Sequence, residues 1–224
     1  NVLGSQFVIL QSNQTIALVL WVLGLALWLL LTYALFTAFT VKEEKPSLEE
    51  GINGAWLLFI VSTQSVPVLG MLLISRFEGW QEMFTFAMLG FYLLGCMFYI
   101  LIISLIVYRF MFFKIEAEEM NPSYWINTGA VAITTLAGAN ILLKGTAPFL
   151  SDLSPFIKGF TIFFWAAGTW WIPYLFIIGA WRHFYKHYPL TYHPVYWGLV
   201  FPMGMYTVAT YRLAEVLSMD FLLL

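Results

Sequence analysis

Six long stretches of this 224-residue chain contain no charged residue, and they constrain the fold more than any other feature. A bilayer core about 30 Å thick needs about 20 apolar residues of helix to cross it, and charged side chains inside a span are costly. The stretches predict six transmembrane helices, at about 15–41, 51–75, 83–108, 120–143, 156–185 and 193–217, of which the last two extend past charged residues at their ends. Alternating strand patterns are absent, which argues against a membrane barrel. The sequence predicts an all-α membrane protein with one transmembrane domain over 1–224.

The composition excludes several other classes of protein. Only 10% of the residues are charged and 61% are hydrophobic, whereas about 25% of a typical globular chain is charged. The net charge of −2 and the lack of a basic run argue against nucleic acid as a partner. The single cysteine, Cys96, cannot form a disulfide within the chain, and we expect it to be inert packing. We therefore expect a multi-pass protein of the cell (plasma or inner) membrane, with the lipid bilayer as a partner.

The connections between the predicted spans are charged and short. Ser47 and Glu50 fit a capping box that would start the second span. The loops after the first, third and fifth spans hold six basic residues, and the other side holds four, which favours a cytoplasmic position for the first set. The six are Lys42, Lys45, Arg109, Lys114, Arg182 and Lys186, and the four are Arg76, Lys144, Lys158 and Arg212. Arg212 and Lys144 could concentrate anions at the outer side, or Arg212 could pair with Glu215.

The six predicted spans are of two kinds. The first, third and fifth are bulky on every face, as expected for helices that contact lipid, whereas the second, fourth and sixth are rich in small and hydroxylated residues. Polar groups facing lipid are costly, so the second kind should face each other or water. The pattern Trp-x9-Thr-x-Ala occurs at Trp125 and again at Trp197. We predict helical-hairpin repeats whose inner helices run parallel around a central pore.

Three segments resemble the tellurite-resistance/dicarboxylate transporter family, which includes slow-type anion channels and malate and sulfite carriers. The segments run from Trp56 to Gly70, from Asn121 to Gly138 and from Tyr196 to Gly204. The resemblance implies ten helices arranged as five hairpins around one pore, in a homotrimer with one pore per subunit. The six spans correspond to helices four to nine of that fold. The family's earlier helices and its last helix are therefore expected to be absent from this chain.

The polar residues of the inner spans are uncharged, which suits anions. Hydroxyls and amides solvate an anion weakly, and conduction requires binding loose enough to release the ion. The predicted lining residues are Ser62, Gln64, Ser65, Asn127, Thr134, Thr135, Thr207 and Thr210. If this holds, cysteine at Gln64 or Thr135 should react with water-soluble thiol reagents. The alternative for each residue is helix packing and hydrogen bonding to its own backbone.

Prolines within two inner spans are expected to kink them. Pro67 and Pro202 lie near the middle of the second and sixth predicted spans, and a proline removes a backbone hydrogen bond of its helix. Phe201 immediately precedes Pro202. In the resembled family an aromatic residue of the ninth helix occludes the pore at mid-membrane, and Phe201 is the residue that matches it. The alternative is that Phe201 is one packed phenylalanine among 21.

Carboxylates and histidines at membrane depth, which coupled carriers and haem proteins need, are missing from the charge-free middle of the predicted spans. His183, His187 and His193 all lie after the charge-free stretch 159–181 of the fifth span, where interfacial basic residues are the better interpretation than a metal pair. We therefore predict no metal, no cofactor and no enzymatic activity. The predicted function is a passive, weakly selective channel or transporter for small inorganic or organic anions. The alternatives are a proton-coupled dicarboxylate, sulfite or tellurite carrier of the same fold, and a membrane subunit that only scaffolds a partner.

Overall fold

The computed structural model describes residues 1–192 and 194–223, and every regular element in them is helical. The helices are α1 Val2–Gln11, α2 Gln14–Val41, α3 Leu48–Gly51, α4 Leu58–Leu72, α5 Gln81–Phe112, α6 Ile126–Lys144, α7 Leu150–Ala180 and α8 Trp197–Leu217. Short 3₁₀ turns precede α4, α6 and α8, at Gly54–Leu57, Pro122–Trp125 and Pro194–Tyr196. A π-helical turn, Trp181–Tyr185, extends α7.

Five helical segments in the described residues are long and apolar enough to cross a membrane. They are Gln14–Val41, Gly54–Leu72, Gln81–Phe112, Pro122–Lys144 and Leu150–Tyr185. The prediction of an all-α membrane protein is confirmed. The sixth predicted span folds as α8 from Trp197 onward but is not among the five, because its polar residues and the Arg212–Glu215 pair lower its hydropathy. His193, where that span was predicted to begin, lies outside the described residues.

Two local predictions need correction, and one helix was not predicted. Residues before the first predicted span form a helix of their own, α1, which packs against α2 and α4. Ser47 does accept a hydrogen bond from the backbone N–H of Glu50 (3.3 Å), but this cap starts the one-turn helix α3 and not the second span. Helix α7 begins at Leu150 and not near 156, because Pro155 removes only one backbone bond while the flanking Leu150 and Ile157 are buried in the core.

Helix α6 lies at the centre of the molecule. It packs against α4 on one side and α8 on the other, while α5 and α7 cover its outer surface. All of its residues from 127 to 141 are buried. We call α4, α6 and α8 the inner row. The burial of α4 and α6 and the exposure of α2, α5 and α7 agree with the predicted inner and outer helices, whereas α8 lies at the end of the row and leaves one face open.

Glycines of α6 allow its neighbours to approach closely. A Cβ added at Gly129 would lie 3.2 Å from Cγ of Pro202 in α8. A Cβ at Gly138 would meet the Thr161 hydroxyl of α7 and lie 3.0 Å from the Tyr92 hydroxyl of α5. Small residues are the usual means of close packing between membrane helices. The small-residue composition of the fourth predicted span therefore serves packing on at least two of its faces.

Candidate functional site

The three helices of the inner row begin side by side. The 3₁₀ turn before α6 contacts the turns before α4 and α8. Asn53 and Asn121 hold equivalent places, and their side-chain oxygens accept hydrogen bonds from the backbone N–H groups of Ala55 and Ser123, both at 2.9 Å. The helices are therefore parallel, and their positive dipole ends lie together. We call this end, formed by 42–56, 109–125 and 181–192, the loop end.

The predicted lining hydroxyls are bonded to the helices that carry them. The donors and acceptors are Ser62 to Phe59 (2.8 Å), Ser65 to Ser62 (2.7 Å), Thr134 to Ala130 (2.7 Å), Thr135 to Val131 (2.9 Å), Thr207 to Met203 (3.2 Å) and Thr210 to Tyr206 (2.9 Å), each acceptor being a backbone carbonyl. This is the bonding expected of hydroxyls within helices, where no competing partner draws the proton away. In this arrangement their protons are not directed at an anion.

The hydroxyl residues differ in their access to the surface. Ser62 and Thr207 are exposed, on α4 and α8. Thr210 is half-buried and accepts a hydrogen bond from the indole Nε1 of Trp165 in α7, at 2.9 Å. Ser65, Thr134 and Thr135 are buried between helices. The structure thus brings two predicted lining hydroxyls to an accessible surface, leaves Thr210 half-buried and encloses the other three.

The two predicted lining amides are also enclosed. Gln64 lies in the contact between α4 and α5, where its Nε2 donates to the backbone carbonyl of Tyr92 at 3.0 Å. Gly95 makes room for it, since a Cβ there would lie 2.6 Å from Cδ of Gln64. Asn127 at the start of α6 is 3% exposed, and neither of its amide atoms has a hydrogen-bond partner among the described residues. An unpartnered buried amide is costly, so Asn127 marks a place where water or a ligand could bind.

Phe201 lies on the open face of α8. Its side chain is 47% exposed, and it shares that face with Gly204, Thr207 and Val208. The next residue, Pro202, is buried against Gly129 of α6. Phe201 is the fifth residue of a 21-residue helix, so it is closer to the loop end than the predicted mid-span position. The difference arises because α8 begins at Trp197, four residues after the predicted start at 193, while its end at Leu217 matches the predicted end.

The loop end contains a buried arginine that sequence reasoning did not single out. Arg109, at the end of α5, donates through Nε to the backbone carbonyl of Glu49 (2.6 Å), through Nη1 to the Tyr124 hydroxyl (2.6 Å) and through Nη2 to Oε1 of Glu119 (2.9 Å). These bonds join α3, the segment after α5 and the start of α6. The only sequence signal was an arginine at the end of an apolar span, and this position is equally typical of an interfacial residue.

The histidines do not form a metal centre in the part of the chain that the structure describes. His183 Nδ1 lies 2.9 Å from the backbone carbonyl of Tyr188, and His193 is outside the described residues. Among the described residues, no three His, Cys, Asp or Glu side chains lie close enough together to hold a metal ion. Cys96 is 1% exposed, and its Sγ lies 3.8 Å from Nε2 of Gln64. Arg212 pairs with Glu215 at 2.6 Å on the surface of α8, which favours the local ion pair over a free basic group there.

Known proteins similar to this chain are membrane proteins and transporters. An uncharacterized membrane protein of Mycobacterium tuberculosis (strain H37Rv) is 40% identical over 115 residues, which are 51% of this chain and 58% of that protein. Two uncharacterized transporters of Methanocaldococcus jannaschii are 25% identical over 220 residues and 26% identical over 216 residues, which cover 98% and 96% of this chain. The matches span 62% and 60% of those two proteins, so the chain covers less than two thirds of its curated relatives. No solved structure matches it.

A family match over nearly the whole chain gives the assignment. Residues 2–224 match the model of one family, which is described as voltage-dependent anion channel. This is the family that the three resembling segments predicted from the sequence. The matched residues include helices α1 to α8, and therefore the whole inner row. The chain therefore belongs to the voltage-dependent anion channel family.

Proposed function

We propose that the protein containing this chain is a channel for small inorganic or organic anions, and that the inner row forms part of its path. The observation that carries the proposal is the parallel arrangement of three helices that share one end and have no charged residue over 51–75, 120–143 and 193–211. A neutral path binds an anion weakly enough to release it. Membership of the anion channel family supports the same conclusion.

We place the path along the open face of α8 and the exposed part of α4 that carries Ser62. Ser62 and Thr207 are the two predicted lining hydroxyls that are exposed. Ser62 is the fifth residue of α4 and Phe201 the fifth of α8, so the two lie at similar depths above the loop end of two parallel helices. Phe201 is then the constriction, and a rotamer change of its ring would open the path. Pro67 and Pro202, both buried inside their helices, are proposed to kink them.

The properties of the whole protein are also proposals. The family resemblance supports a ten-helix fold and a homotrimer in the cell membrane, with the remaining helices completing the wall opposite the inner row. Such a wall would cover the face of α8 that is open in this chain. The choice among chloride, nitrate, sulfite and small carboxylates depends on residues of that wall as well as on those described here.

Anion flux into liposomes that contain the full-length protein tests the proposal. We expect flux from the natural protein and a severalfold higher flux from Phe201→Ala, because removal of the ring widens a steric and dewetted constriction. Phe163→Ala is the matched control, since Phe163 is a 53% exposed ring on α7 away from the inner row. Absence of flux from the natural protein would favour a scaffold role. Equal flux from Phe201→Ala, Phe163→Ala and the natural protein would reject Phe201 as the constriction.

A further inference from the structure

A cavity of about 610 Å³ opens at the loop end. Asn53, Ser123 and Tyr124, at the starts of α4 and α6, form one of its walls. Arg182 and Tyr188, which follow α7, form another. The cavity is distinct from the proposed path along α8, although it lies at the loop end, where that path begins. Its position places it before the first turns of helices whose dipoles favour negative charge.

Arg182 is a buried cation without a counter-charge in the described residues. Its side chain is 7% exposed and lines the cavity. The guanidinium carbon lies 4.2 Å from the ring centroid of Tyr188. No described residue accepts a hydrogen bond from its Nε, and none of the ion pairs among described residues includes it. Arginine stays charged when it is buried, so this group loses hydration without a described anionic partner.

The other buried arginine of the cavity provides a contrast. Arg109 also lines the cavity, but its three donor positions are bonded to Glu49, Tyr124 and Glu119. Its charge is balanced by the carboxylate of Glu119. Glu50 and Glu118 line the cavity as exposed residues and form no ion pair with Arg182. The carboxylates of the cavity are therefore either engaged by Arg109 or solvated, and Arg182 remains the group with free donor capacity.

We propose that this cavity binds a small anion, and that the guanidinium of Arg182 is its principal ligand. A monovalent inorganic oxyanion such as nitrate fits the planar donor fork of arginine. Helix starts at Asn53 and Asn121 add a favourable field, and Tyr188 holds the guanidinium in place through its ring. This inference rests on the proposed function to the extent that the site would load anions at the cytoplasmic mouth of the path. Binding at the site is nevertheless separable from flux.

The test is the dependence of thermal unfolding on nitrate concentration, with the full-length protein in neutral detergent and gluconate keeping the ionic strength constant. Nitrate should raise the Tm of the natural protein until the effect saturates, because a ligand that binds the folded state stabilises it. The midpoint is the nitrate concentration at which half of this rise is reached. Arg182→Gln should raise that midpoint by about tenfold or more, since charge-assisted hydrogen bonds are the strong ones. Lys186→Gln, an exposed cation one turn away, should leave the midpoint unchanged. The readout is the midpoint and not the Tm itself, so a purely structural role of Arg182 would not move it.

Arg182→Lys keeps the charge and serves if Arg182→Gln does not fold. We expect a midpoint raised severalfold, because an ammonium group lacks the fork. The site would be overturned if the midpoint were unchanged in either Arg182 variant, or if Lys186→Gln raised the midpoint as much as the Arg182 variants do. The absence of a saturable effect of nitrate on the natural protein would overturn it as well. Added phosphatidylglycerol distinguishes the source of the anion: competition that raises the nitrate midpoint in proportion to lipid would show that a headgroup fills the cavity and would overturn a site for free anions. Normal flux with an unchanged midpoint in Arg182→Gln rejects only the site, whereas nitrate binding without flux rejects only the proposed function.

Discussion

Several side chains of the inner row have roles that their residue types alone could not decide. A threonine in an apolar helix can face water or a neighbouring helix while it bonds its own backbone, and the local sequence is the same in both cases. Thr134 and Thr135 are buried and bond the backbone one turn earlier, whereas Thr207 makes the same bond but is exposed. Gln64 was predicted to face a pore and bonds α5 instead. The neighbouring helix makes the difference in each case, and it is not written in the local sequence.

Cysteine labelling can separate exposed from enclosed members of the predicted lining. In a full-length protein that carries Cys96→Ala, we expect Ser62→Cys and Thr207→Cys to react with a small water-soluble thiol reagent. Gln64→Cys and Thr135→Cys should be protected, because both positions are 0% exposed. This reverses the expectation from the sequence for those two residues. Rapid labelling at Gln64→Cys or Thr135→Cys would mean that a water-filled lumen passes beside α6, and would return them to the path.

Gly54 is predicted to be intolerant of any side chain. A Cβ there would lie 2.6 Å from the backbone carbonyl carbon and oxygen of Ser123. Backbone atoms cannot rotate away, so Gly54→Ala must separate the first turns of α4 and α6. We expect a loss of about 1–3 kcal/mol of stability, as is typical of overpacking. Gly90→Ala is the control, since a Cβ at Gly90 meets no atom within 4 Å. Thermal unfolding in detergent measures both, and equal Tm values would contradict the close approach.

At the scale of helices, the outer elements are joined to the inner row by tryptophans. Trp21 of α2 donates to the backbone carbonyl of Val66 at 3.0 Å, and Trp28 donates to the Thr63 hydroxyl at 2.9 Å. Trp165 of α7 donates to the Thr210 hydroxyl at 2.9 Å. An indole N–H inside a bilayer needs an acceptor, and the polar groups of an inner helix supply one. Part of the hydroxyl content that suggested a pore therefore anchors the outer helices.

A double-mutant cycle between Trp165 and Thr210 tests this role. Trp165→Phe and Thr210→Val should each lower stability, and the double variant should lose less than their sum. A coupling of about 0.5–1.5 kcal/mol is expected for one hydrogen bond. Trp170→Phe in place of Trp165→Phe is the control, because Trp170 is a 59% exposed ring of the same helix. Additive losses in unfolding experiments would show that the two side chains do not interact, and would restore Thr210 as a free lining residue.

For the whole molecule, the neutral inner row leads to a prediction about coupling. Proton-coupled transport needs a titratable group such as a carboxylate or histidine at membrane depth, and residues 51–75, 120–143 and 197–211 of the inner row contain neither. We expect anion uptake into liposomes to follow the membrane potential and to be unchanged when a pH gradient of either direction is imposed at fixed potential. The potential is set by potassium and valinomycin, and protein-free liposomes serve as the control. Uptake that needs an inward proton gradient would instead support the coupled carrier.

The sequence by itself determined the all-α membrane class, the family and the parallel inner helices. It could do so because charge-free length and capping residues act locally, and because a helix in lipid satisfies its own backbone. The tertiary structure decided which face of each helix is enclosed. Gln64 is enclosed between α4 and α5, and Thr135 is enclosed where several helices surround α6. Arg109 has three partners, whereas Arg182 has no ion-pair partner among the described residues. Such assignments depend on contacts between residues far apart in the chain, and a pattern of residue types along one helix does not contain them.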